Sequence, residues 1–194
     1  YSVIKEQMED FMKEISEIEQ KQQDFSKRIH DLRKDELHAR EKIQQLKKLL
    51  IETNRNLSRS NVPGVPSDID AEFYDSGEAL QDAIRYLEQK PLSMPAVNMA
   101  LEKAEKVVNS LVKRVNETIE NVYVIERIIQ YGNRYRRYNE KLDESLKEAE
   151  KAFRHYDYQT ALEVAASAVE AVEPGALKKI EKLVNEELKK MFDE

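Results

Sequence analysis

The chain has 194 residues, 36% of them charged, with 4 glycines, 5 prolines, no cysteine and no tryptophan, and a mean hydropathy of -0.74. That is the composition of long helices and coiled coils rather than of an ordinary globular domain. The 32 basic and 38 acidic residues are interspersed and leave a net charge of -6, so no uncompensated basic surface is available to displace counterions from nucleic-acid phosphates.

Without cysteine there are no disulfides or thiolate metal sites, which fits a reducing cytosolic compartment. No apolar run approaches the ~18–20 residues that span a bilayer, and no signal peptide opens the sequence. The chain begins without methionine and is in heptad phase by Ile4, so it is expected to be a fragment whose upstream helix has been removed.

From Ile4 the apolar positions step by alternating four and three residues through Met8, Phe11, Ile15, Ile18, Phe25, Ile29, Leu32, Ala39, Ile43, Leu46, Leu50 and Leu57, with Gln22, Glu36 and Thr53 as the polar exceptions. A seam sustained over so many heptads predicts one continuous helix, roughly 80 Å long at 1.5 Å per residue. The segment NVPGVPS at Asn61 to Ser67 holds two prolines and a glycine, which remove amide donors and permit turn geometry, so the helix ends before it.

A second helix is predicted from Asp68 to about Gln89, capped by Ser67 or Asp68, with Ile69, Phe73, Leu80, Ile84 and Leu87 inward. Lys90 to Pro95 is the next break, read either as a hairpin reversal or as a kink. Ser93 is placed to cap a third long helix with Pro95 in its first turn.

That helix buries Leu101, Val108, Leu111, Val115, Val122, Ile125 and Ile129, and is expected to continue through a second set comprising Ile128, Tyr131, Tyr135, Tyr138, Leu142, Ala149, Phe153 and Tyr156. The shift of the apolar face near Ile125 to Ile129 marks a boundary between two packing units. Asp157 is placed to cap an alanine-rich helix from Thr160 to Val172, which Pro174 and Gly175 end. A last helix from Ala176 to about Phe192 turns Leu177, Ile180, Leu183, Val184, Leu188 and Met191 inward.

The predicted fold is all-α: tandem antiparallel three-helix bundles joined by long continuous helices. Residues 1–29 would complete a preceding repeat, 30–124 form one repeat and 125–194 a C-terminal one.

Within the third helix, IIQYGNRYRRY at Ile128 to Tyr138 stands out. Gly132 costs a helix interior about 1 kcal/mol relative to alanine, while Gln130, Asn133, Arg134 and Arg137 recur at i, i+3, i+4 and i+7 and would share one helical face. One reading makes this packing: Gly132 lets helices approach, and the tyrosines line a core whose hydroxyls need partners. The other makes it a docking surface, since arginine and tyrosine are enriched at binding hot spots. The two are compatible, with the tyrosine side buried and the polar side outward.

Catalytic chemistry finds no support. His30, His38 and His155 are scattered without a second ligand at metal spacing. The paired carboxylates, such as Glu9 with Asp10 and Asp35 with Glu36, lie among lysines on solvated faces, and there is no phosphate loop or nucleophile elbow. No enzyme and no cofactor is expected.

The helix order resembles a spectrin-type array, in which the last helix of one repeat runs into the first of the next. With IQYGNRYRRYN at Ile129 to Asn139 and DYQTALEVAASAVEAVEPGA at Asp157 to Ala176, the chain resembles the C-terminal part of the EzrA family of septation ring formation regulators. Asp157 to Glu173 is also similar to the second helix of a tetratricopeptide repeat, but no second copy exists to stack on it.

The EzrA resemblance implies a cytoplasmic rod on the inner side of the cell membrane at the division septum, held by a single-pass anchor upstream of Tyr1. It implies binding to the tubulin-like division protein FtsZ, contacts with other division-ring or cell-wall-synthesis proteins, and control of ring assembly and placement. It also implies a Gln-Asn-Arg patch matching Gln130, Asn133 and Arg134, with Tyr131, Gly132, Tyr135 and Arg137 completing the candidate surface. The alternative is a structural spacer or self-associating coiled-coil crosslinker without a regulatory site, suggested by the unpartnered seam of residues 1–30.

Overall fold

The computed structural model describes residues 2–192. The inward positions expected of the Leu188 and Met191 side chains fall outside what is described. Six α-helices occur among the described residues: α1 (Ser2–Arg59), α2 (Ser67–Glu88), α3 (Met94–Gly132), α4 (Glu140–Arg154), α5 (Tyr158–Val172) and α6 (Ala176–Phe192), with a 3-10 turn at Arg136–Tyr138 between α3 and α4. The fold is all-α, and among the described residues there is no strand.

Two compact units divide these helices, one formed by Tyr1–Lys47 with Ala79–Glu105 and the other by Lys48–Glu78 with Lys106–Glu194. In the first, Ala39, Ile43 and Leu46 of α1, Ala79, Leu80, Ala83 and Leu87 of α2, and Met94, Val97, Leu101 and Ala104 of α3 are buried. Each set repeats at three- and four-residue steps, the spacing that aligns side chains along one helical stripe. Lys42 Nζ meets Glu105 Oε2 at 2.7 Å. Upstream, the α1 seam from Val3 to Leu32 is exposed, Phe11 at 63% and Phe25 at 64% among them.

In the second unit, Leu57, Ile69, Leu111 and Val115 form one apolar cluster, joined by Phe73, Val62 and Val65. Ile69 opens α2 while Leu111 and Val115 lie well along α3, so the chain reverses between α2 and α3; Arg114 of α3 also pairs with both Asp68 and Glu72 of α2. The break at Lys90 to Pro95 is therefore a hairpin.

A second cluster gathers Val122 and Ile125 with Tyr158 and Ala161. A third joins Ile128 to Leu142, Leu146 and Ala149 of α4, Ala165 and Val169 of α5, and Ala176, Ile180 and Val184 of α6.

Side-chain caps place the later helices. Asn139 Oδ1 accepts from Leu142 N at 3.0 Å and Asp157 Oδ1 from Thr160 N at 3.2 Å, each satisfying an amide that the first turn leaves unpaired. Glu170 of α5 accepts from Gly175 N at 2.7 Å and Leu177 N at 3.0 Å, holding the start of α6; Gly175 makes the turn at φ 88°.

At the other end of the unit, Tyr156 sits at φ 63°, a left-handed conformation uncommon for a side-chain-bearing residue. Its ring lies directly over Gly64, where a Cβ would fall 2.2 Å from Tyr156 Cζ, and Tyr158 donates its hydroxyl to Gly64 O at 2.5 Å.

One expectation is corrected. The third helix does not run on to His155: α3 stops at Gly132 and the backbone turns until Asn139 caps α4. The apolar set loses its last tyrosines accordingly, with Tyr138 88% exposed on the 3-10 turn and Tyr156 exposed at the α4–α5 turn.

Ile125→Ala, at a fully buried position of the second unit, is expected to lower the unfolding free energy by about 2–5 kcal/mol. Phe25→Ala on the exposed seam should change it by no more than about 0.5 kcal/mol; urea denaturation of both variants checks the contrast.

Candidate docking surface at the end of α3

The site begins with a residue that has no side chain. Gly132 is buried, and a Cβ built on it would lie 3.0 Å from both Leu146 Cδ1 and Val169 Cγ2. The end of α3 therefore rests on α4 and α5 through glycine, as the packing reading required. Asn133 N still makes the α-helical bond to Ile129 O at 3.0 Å, and beyond it the backbone keeps its bonds by tightening: Tyr135 N reaches Gly132 O at 3.0 Å and Tyr138 N reaches Tyr135 O at 3.0 Å.

Of the residues singled out in the sequence, Gln130, Asn133, Arg134 and Arg137 are exposed, Tyr131 and Tyr135 are half-buried, and Gly132 lies beneath them. They remain neighbours, but not on one helical face. Gln130 belongs to the last turn of α3, Asn133 and Arg134 to the turn that follows, and Arg137 to the 3-10 segment. The i to i+7 alignment fails because the helix on which it depends ends after Gly132.

Gln130, Asn133 and Arg134 are each held by a neighbour. Gln130 Oε1 accepts from Arg127 Nη1 at 3.1 Å, and Arg127 is itself fixed by Glu187 at 2.9 Å and by stacking over Tyr123 at 5.0 Å. The Arg134 guanidinium lies 3.9 Å from the centre of the Tyr131 ring, a cation–π contact. Tyr131 and Tyr135 both donate their hydroxyls to Glu173 Oε2, at 2.8 and 2.6 Å, while Lys179 Nζ meets Glu173 Oε1 at 2.6 Å.

Lys179, and after it the two tyrosine hydroxyls, hold the Glu173 carboxyl at about 2, and both tyrosines are in turn pushed up by the carboxylate they face.

Asn133 Oδ1 accepts from Arg136 Nη1 at 3.2 Å; Arg136 also reaches Glu150 at 2.7 and 3.1 Å and Asp143 at 2.5 Å. These carboxylates raise the Arg136 guanidinium still further. Arg136 lowers Glu150, and Lys147 with Arg136 lowers Asp143.

Arg136, Glu173, Arg127 and the exposed Tyr138 were not among the candidates. Arg136, Asp143 and Glu150 follow one another at seven-residue steps, a charge periodicity that a search for apolar spacing passes over. Glu173 gave no local signal, because its partners are brought to it by the packing of α3 on α5. No group of three or more His, Cys, Asp or Glu residues able to hold a metal occurs among the described residues, and no described helix is long and apolar enough to cross a membrane.

The class these features define is an all-α protein of long, seam-packed helices displaying a polar turn. The chain belongs to the EzrA family: residues 1–184 match the family described as septation ring formation regulator, EzrA. It is 44% identical over 190 residues to a septation ring formation regulator EzrA of Geobacillus sp. strain WCH70, covering 98% of this chain and 34% of that protein. It is 45% identical over 180 residues to that of Bacillus subtilis strain 168, covering 93% and 32%.

A solved structure of the cytoplasmic domain of bacterial cell division protein EzrA aligns with a TM-score of 0.62 at 40% identity, covering 94% of this chain and 35% of that one. The chain spans about a third of the length of these relatives.

The low Glu173 value carries a sign. A carboxyl held at about 2 against an ordinary 4.5 contributes stability that is fully present above pH 4.5 and is lost as pH falls from there through 2. The stability difference between the parent and Glu173→Gln should therefore be widest at neutral pH and shrink below pH 4.5; urea midpoints at pH 7, 4.5 and 3 test this.

Proposed function

We propose that this chain is part of the cytoplasmic portion of a membrane-anchored cell-division regulator that binds FtsZ and controls assembly and placement of the division ring. In this reading the anchor belongs to a part of the protein outside this chain, and residues 30–124 and 125–194 act as successive spectrin-like repeats. Action at the septum would bring the same surface near other division-ring and cell-wall-synthesis proteins.

The observation that carries the reading is the displayed turn. Gln130, Asn133, Arg134 and Arg137 are exposed around a buried glycine, and Gln130, Asn133 and Arg134 are each held by a neighbour before any partner arrives. A surface ordered in advance loses less conformational entropy on docking, and arginine with tyrosine supplies the side chains that dominate interface energetics.

A double substitution, Asn133→Ala with Arg134→Ala, is expected to weaken binding of purified FtsZ by roughly tenfold or more. Stability should stay within about 1 kcal/mol of the parent, since only an exposed cation–π contact and one surface hydrogen bond are removed. Unchanged binding, or loss of binding that merely follows unfolding, refutes the docking role.

One observation favours the second reading, a self-associating crosslinker. Ile4, Met8, Phe11, Ile18 and Phe25 are each more than 60% exposed on one stripe of α1, which is the seam a second helix would cover. Sedimentation equilibrium separates the two: a mass that rises with concentration and returns to monomer in Phe11→Asp with Ile18→Asp supports self-association. A concentration-independent monomer argues against it.

A further inference from the structure

Three arginines lie within four residues of the turn, and they are not equivalent. Arg134 and Arg137 are exposed, whereas the Arg136 side chain is 22% exposed and faces α4. Its donors are almost all engaged. Nε goes to Asp143 in the first turn of α4, Nη1 and Nη2 take the two oxygens of Glu150, and Nη1 also reaches Asn133 Oδ1 at 3.2 Å. A planar fork is needed for this, because two carboxylates and an amide oxygen are met in different directions by one rigid group.

We propose that Arg136 is the positioning residue of the docking surface: it fixes the turn against α4 and orients the Asn133 amide from behind, without itself meeting the partner. This rests on the docking reading above and names a residue outside the Gln130, Asn133 and Arg134 set. With Asn133 Oδ1 held by the guanidinium, the side-chain NH2 is left to donate outward to a partner acceptor. The Arg136 tie also sets where the 3-10 turn leaves the α4 surface, and so where Arg137 and Tyr138 project.

Lysine keeps the charge but offers a single point donor, so Arg136→Lys preserves attraction to Asp143 and Glu150 while losing the simultaneous bond to Asn133. Binding of purified FtsZ to the whole 194-residue chain is to be measured for the parent, Arg136→Lys, Asn133→Ala and the double variant. The expected result is a loss of roughly three- to tenfold for Arg136→Lys in the parent and almost none in the Asn133→Ala background, since both changes remove one arrangement. A merely structural arginine would lower affinity equally in both backgrounds.

Glu150→Gln keeps the side-chain shape and loosens the same guanidinium, and it should show the same non-additivity should Arg136→Lys fold poorly. Additive losses, or full binding by both Arg136→Lys and Glu150→Gln while Asn133→Ala binds weakly, overturn the positioning role alone. Unchanged binding by Asn133→Ala and by Asn133→Ala with Arg134→Ala overturns the docking reading, and the role of Arg136 with it.

Discussion

The absence of a side chain at position 132 is the constraint on which the second unit depends. Leu146 of α4 and Val169 of α5 approach to where a methyl group would sit, so three helices meet at one point with backbone as one of the surfaces. Interiors are packed to near-crystalline density, and one methylene is enough to be felt there. The same residue that allows this approach is a poor helix former, and α3 ends on it. Packing and chain reversal are thus one event, and the polar residues that follow are left on a turn because the helix has been used up in making the contact.

Around that point the charges divide into those that hold and those that are displayed. Glu173 gathers two tyrosine hydroxyls and a lysine, and Arg136 gathers two carboxylates and an amide. Exposed single ion pairs along the helices, such as Lys48 with Glu52 or Lys113 with Glu117 at nearly 4 Å, contribute little. Networks in which one group answers several partners in fixed geometry fix conformation as well as energy. Arg134 and Arg137, by contrast, keep donors free of carboxylates, which is how a chain of net charge -6 presents local positive charge.

Much of the fold could be read from residue order. The four-and-three apolar rhythm of α1, the proline-glycine segment at Asn61 to Ser67, the Asp157 cap and the Pro174–Gly175 stop each act within a few residues, so local pattern was sufficient. The stop at Gly132 was not recognised, because Tyr131, Tyr135 and Tyr138 continue the helical rhythm across it and Asn139 reads as one more polar position. What distinguishes those tyrosines is tertiary: Glu173 of the α5–α6 connection captures two hydroxyls and leaves Tyr138 outside. The candidate surface was legible as a list of residues but not as a shape, since its shape is set by α4 and α5 side chains far away in sequence.

The contact between Tyr156 and Gly64 has an evolutionary corollary. An aromatic ring held by a left-handed backbone residue lies where any side chain at position 64 would stand. The two sites are therefore not free to drift separately: a lineage that gains even a methyl at the first must swing or shrink the ring at the second. Aligned homologous sequences should show these two columns changing in concert, although nearly half the chain separates them.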